Sequence, residues 1–159
     1  MVGALLVDSP IKLLEKLKYE VSRKSSSNSF PELNAVRDAY HLREWIWHHY
    51  LEDDAVMQQQ MMGFEGNQQD WQHFINNQFP KFQILKELCN GSKHFILKKK
   101  GQIVRAIESG WDNQEWDTLP WDADGFYVEL SDSSVLSISE LLEAICDFWD
   151  QLFKDHALI

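Results

Sequence analysis

Apolar residues recur at helical spacing along most of this chain and at alternate positions in one part of it. From Ser9-Pro10 to about Arg23, Leu13, Leu14, Leu17 and Val21 form a seam, with Ser9 as cap and Pro10 at the first helical position, which predicts a helix over 9–23. Ser29 and Glu32 make a capping box that opens a second helix, predicted over 31–52. Its residues Leu33, Val36, Ala39, Tyr40, Ile46, Trp47, Tyr50 and Leu51 fall within an arc of roughly 140°, the width of a core-facing stripe. Arg43 sits in the middle of that stripe. A guanidinium stays charged, so this position predicts a buried side chain paired with a carboxylate or with carbonyls, the carboxylate coming from the last helix or from the Trp-Asp segment at 111–122.

From Asp53 to Gln78 the chain is rich in glutamine and methionine and is broken by Gly63 and Gly66. This predicts a helix end, a mobile loop and a short helix over 69–76. Pro80 restarts a helix over 80–90, with Phe82, Leu85 and Leu88 inward and Asn90-Gly91 supplying a left-handed end. Beyond His94 the period changes to two. FILKK and QIVRAIES flank a KKGQ hairpin tip, and GFYVEL and SSVLSI supply further strands between 94 and 137. Ser137 and Glu140 form another capping box, and Ile138, Leu141, Leu142, Ile145, Trp149, Leu152 and Phe153 mark a last helix over 138–156. The expected fold is therefore α+β in one domain over 1–159: a bundle of four or five helices with a small antiparallel sheet inserted before the C-terminal helix.

Composition narrows the function classes. The 159 residues are 44% apolar and 13% aromatic, enough to bury a core. With 25 acidic and 15 basic residues the net charge is −10, so any RNA contact has to be local rather than a broad basic surface. Lys98, Lys99 and Lys100 form the one basic run, and the following Gly101 marks them as a solvated turn. Cys89 and Cys146 lie in apolar helical patterns and make no disulfide framework. They suggest a reducing compartment. The first ten residues hold too short an apolar run for a signal peptide or a membrane span, and none follows, so a cytoplasmic location with no membrane partner is expected. No phosphate loop, nucleophile elbow or paired-cysteine zinc spacing occurs, and no cofactor is expected.

Three constellations could carry chemistry. The first is Leu88-Cys89-Asn90-Gly91-Ser92-Lys93-His94-Phe95, in which Asn90 and His94 stand four apart with a hydrophobic residue before and an aromatic after. This segment resembles the Leu-Arg-Asn-x-x-x-His-x-Phe neighbourhood of the HEPN superfamily, small helical domains of prokaryotic toxins and defence systems. The resemblance implies a metal-independent ribonuclease site made by Arg and His from paired subunits. Cys89 stands where that family has its arginine, which removes the charge that would hold a phosphate. Arg43 and His48 match a looser Arg-x(4–6)-His form of the motif, although their side chains point about 140° apart on a helix. On this reading Arg43 or Arg37 replaces the missing cation, His94 acts as general acid or base, and Asn90, Lys93 and His48 assist.

The second constellation is His41, Glu44 and His48 on one helical face, donors of a kind first-row metals accept, though at wider spacing than His-Glu-x-x-His; a polar border is the simpler reading, and no metal is expected. Asp122-x-Asp124-Gly125 lacks the ligands of a calcium loop. The third is the triple Trp-Asp pattern: Trp111, Trp116 (with Asp117) and Trp121 (with Asp122) set large apolar area beside negative charge, a combination suited to docking a protein partner. Two functions follow. One is a non-catalytic interaction module of a prokaryotic or phage defence or toxin–antitoxin setting, binding a protein partner or itself and possessing a degenerate HEPN-like domain. The other is a HEPN-type ribonuclease acting as a homodimer.

Overall fold

The computed structural model of the chain describes residues 7–23, 30–94, 101–108 and 125–159. They form α1 (Pro10–Ser22), α2 (Phe30–Ile46), a π-helical turn (Trp47–Leu51), α3 (Ala55–Met62), α4 (Gln68–Gln78), α5 (Phe82–His94), β1 (Ile103–Glu108), β2 (Phe126–Leu130), β3 (Val135–Ser137) and α6 (Ile138–Asp155). The architecture is α+β: a helical bundle with a three-stranded antiparallel sheet, in the order β1-β2-β3, placed before the last helix. Helix α2 packs against α1, α5 and α6, and the sheet meets the bundle through α6.

Local chemistry accounts for most boundaries. Ser9 accepts from the Lys12 amide at 3.4 Å and Pro10 starts α1, while Ser137 accepts from the Glu140 amide at 3.3 Å and starts α6. Eight residues of α6, from Ile138 to Phe153, are buried along one stripe. Trp149 is fully buried, and its indole N–H donates to the Ala39 carbonyl at 3.2 Å, which fastens α6 to the middle of α2. Lys16 of α1 reaches Asp38 of α2, and Lys18 of α1 reaches Asp150 of α6.

Three boundaries differ from the sequence expectation. The helix predicted over 31–52 is α2 only to Ile46 and then widens, with the Glu52 amide donating to the Trp47 carbonyl at 2.9 Å, a five-residue step. The wider turn buries Trp47 and Leu51 while His48 and His49 both face out. Residues 55–62, expected as the margin of a mobile loop, are helix α3: Asp54 caps it by accepting from the Met57 amide at 2.9 Å, and Gly63, at φ +84°, ends it. The chain therefore has six α-helices among the described residues instead of four or five. Gln58, buried in α3, donates to the Leu51 carbonyl at 2.7 Å and accepts from the Gly66 amide at 3.0 Å, stitching the π turn to the loop before α4.

Helix α5 continues through Asn90 and Gly91 to His94, so Gly91 takes no left-handed end. The predicted FILKK strand and its KKGQ tip lie for the most part outside the described residues. Strand β1 pairs with β2, Ile103 opposite Leu130 and Ile107 opposite Tyr127, with an irregularity between Ile103 and Arg105. Glu87 of α5 fixes where that strand begins: its two carboxylate oxygens accept from the amides of Gln102 and Ile103, each at 3.0 Å.

Candidate functional site

The buried charge that the stripe of α2 predicts is present, and its surroundings are aromatic. Arg43 is 6% exposed. Tyr40 precedes it by three residues, one step along the same helical face, and Phe82 at the start of α5 lies across from it. The two rings are stacked with centroids 5.7 Å apart, and the guanidinium carbon of Arg43 lies 5.1 Å from the Tyr40 centroid and 4.8 Å from that of Phe82. Its Nη2 donates to the Tyr40 hydroxyl at 3.3 Å.

The cradle is held from behind. Phe82 meets Trp149 edge to face at 6.0 Å, and Trp149 is anchored on the Ala39 carbonyl. Trp71 of α4, fully buried, donates its indole N–H to the Arg43 carbonyl at 2.8 Å. Two indoles thus grip the α2 backbone on either side of Tyr40, and the guanidinium projects from a fixed position.

Among the described residues Arg43 meets no carboxylate, and the Trp-Asp segment, the other expected source, lies outside them. Glu44, the next residue, turns away to His41 at 3.6 Å and His48 at 4.0 Å. On α6, Asp150 is taken by Lys18 and Lys154. Burial pushes the pKa of Arg43 down while the Tyr40 hydroxyl and Glu44 pull it back, and an arginine so placed still carries its charge. Arg43 has five N–H donors and uses one on a phenol.

The predicted row along the flank of α2 forms an exposed ladder. His41, Glu44, His48 and Glu52 follow one another, closed by a 2.8 Å contact between His48 Nδ1 and Glu52. That carboxylate raises the pKa of His48 above its ordinary value. Among the described residues no group of His, Cys, Asp and Glu is arranged to hold a metal ion, and His41, Glu44 and His48 lie about half exposed along the border of α2. Beside them the π turn and the start of α1 frame a cleft of about 240 Å³ lined by Pro10, Trp45, His48 and His49.

The remaining candidates fall in three places. Asn90 is half-buried and Cys89 buried on α5, Arg37 is exposed on α2, and His94 closes α5. The side chains of Lys93 and His94, and the whole of Trp111, Trp116, Asp117, Trp121 and Asp122, lie outside the described residues. His94 comes twelve positions after Phe82 on one continuous helix, which at 1.5 Å per residue sets their backbones about 18 Å apart. Phe82 is the residue under Arg43. The structure therefore brings Arg43 together with Tyr40 and Phe82, at the far end of α5 from the backbone of His94. Sequence reasoning missed Tyr40 and Phe82 as site residues: the Tyr40–Arg43 spacing was legible, whereas the approach of Phe82 depends on how α5 docks. No family model, curated protein or solved structure matches the chain.

Proposed function

We propose that this chain is a non-catalytic interaction module, a degenerate HEPN-like domain in a prokaryotic or phage defence or toxin setting, which works in the cytoplasm by binding a protein partner or a second copy of itself. One observation supports the choice over the ribonuclease: the buried cation Arg43 packs on Phe82, whose backbone lies about 18 Å along α5 from that of His94, so a catalytic arginine would have to come from a second copy. The arginine of the family motif is Cys89, buried and uncharged beside Leu88. The net charge of −10 opposes RNA further, and the three Trp-Asp pairs supply docking area beside charge. No helix among the described residues is long and apolar enough to cross a membrane.

A ribonuclease assay on the full chain tests this, run at protein concentrations high enough to populate a dimer. The wild type and His94→Ala should be equally inactive on single-stranded and hairpin RNA. Cleavage by the wild type that His94→Ala abolishes would establish the enzyme, with the arginine coming from a second copy.

A further inference from the structure

We infer that Arg43 is the anchor of a binding site for a single carboxylate, presented by an acidic side chain or a chain end of the protein partner. The inference rests on the interaction reading above and names the chemistry of the contact. Its ground is the contrast between how well Arg43 is held and how little, among the described residues, opposes its charge. Arg43 is 6% exposed as a residue, its guanidinium lies against two aromatic rings, and it bonds to one phenol. Glu44, the next residue, contacts His41 and His48, and Asp150 of α6 contacts Lys18 and Lys154.

A buried cation without a counter-charge weakens a fold, and methionine or leucine would cover the same two rings without that cost. A charge kept in such a place is explained by a counter-charge that arrives on binding. The cradle also suits the task. Tyr40 and Phe82 fix the guanidinium before any ligand comes, so little side-chain freedom remains to be lost, and the ring faces leave the in-plane N–H groups to form a two-pronged contact.

Carboxylate is favoured over phosphate by the charges on the site. Among the described residues the polar groups beside Arg43 are the Tyr40 hydroxyl and the Glu44 carboxylate, and neither is a cation. One guanidinium balances one carboxylate, whereas a phosphate dianion or an RNA strand needs further positive charge and meets a chain of net charge −10.

The test follows the side-chain Nε–Hε signal of Arg43 by NMR on the full chain, titrated at constant ionic strength with acetate, inorganic phosphate and chloride. Acetate should shift that signal saturably, and phosphate and chloride should not. A blocked glutamate peptide, its glutamine counterpart and a peptide with a free carboxyl terminus then distinguish a side-chain from a chain-end source. Arg43→Lys should keep the fold and, read from the Tyr40 and Phe82 ring signals, weaken carboxylate binding by about tenfold or more, because a point charge replaces a fork. Arg43→Met should abolish the acetate-induced shift of the Tyr40 and Phe82 ring signals, which wild type and variant both have, without lowering the melting temperature. A signal indifferent to carboxylate, or one that answers phosphate as strongly, overturns the inference. So does an Arg43→Met protein that melts well below the wild type, since Arg43 would then serve the fold. None of these results bears on RNA cleavage, so the carboxylate site can fail while the interaction module stands.

Discussion

Replacing Arg43 with methionine or with alanine asks two different questions of one position. Methionine removes the charge and keeps the contact with Tyr40 and Phe82, so its stability by urea unfolding should lie within about 1 kcal/mol of the wild type or above it. Alanine also removes the stem that covers those rings, and should cost about 1–3 kcal/mol through lost packing and cation–π contact. A salt-bridged arginine would make both substitutions costly, because each would strand a buried carboxylate. At the other end of this helical face, His48 gives a pH signature whose sign is set by Glu52 at 2.8 Å. Its folded-state pKa lies above the ordinary value, so the small stabilisation it contributes is present below the unfolded pKa and is lost as pH rises through the folded one. NMR titration should place its midpoint above that of a free histidine, and Glu52→Gln should bring it back. Cys146 stands at the opposite extreme: burial and the neighbouring Asp147 push its thiol up to about 12. It should resist thiol reagents at pH 8 until the chain unfolds.

At the scale of elements, the junction between α5 and β1 depends on one carboxylate. Glu87 accepts from two consecutive amides, and Gly101 lies so close that a Cβ there would come within 2.5 Å of a Glu87 oxygen. Gly101→Ala should therefore displace Glu87 and cost about 1–2 kcal/mol, as should Glu87→Ala. Since both act through the same two bonds, the double variant should cost little more than either alone, and additive losses in a double-mutant cycle would separate the two effects. The ends of α1 and α6 were legible because their caps and seams agree, Ser9-Pro10 with Leu13 and Leu17, Ser137 with Ile138 and Leu141. Helix α3 was hidden because it has ends without a seam: Asp54 and Gly63 mark it, yet its buried residues are Gln58, Met61 and Met62. The π turn has no signature in its own residues; it relies on Gln58, seven positions on, to bond the Leu51 carbonyl. At Asn90-Gly91 the local turn preference loses to the continuing helix. The site follows the same division. The burial of Arg43 could be read from one helix, but its partners could not, because Phe82 is 39 positions away in sequence and arrives only through tertiary packing.

For the molecule as a whole, charge acts mainly against the fold. The 25 acidic residues exceed the 15 basic ones, and several ion pairs, such as Asp8 with Lys12 at 60% and 51% side-chain exposure, stand in high-dielectric water where each contributes little. Salt screens both the general repulsion and the individual attractions. Which loss dominates depends on where the pairs lie. Lys16 with Asp38 and Lys18 with Asp150 are direct contacts, far shorter than the Debye length and so weakened little by salt, whereas the excess of negative charge acts over longer distances across the solvated surface. Repulsion should therefore be relieved more than attraction is lost, and the melting temperature should rise between 20 and 300 mM sodium chloride, an interval over which the Debye length shrinks from roughly 20 to roughly 6 Å. Lys18→Met discriminates the two contributions: it should lower the melting temperature at both salt concentrations by a similar amount, because it removes the contact between α1 and α6 and adds to the net negative charge. A melting temperature that falls with salt in the wild type would mean that the ion pairs, and not the excess of acids, govern the electrostatics of this fold.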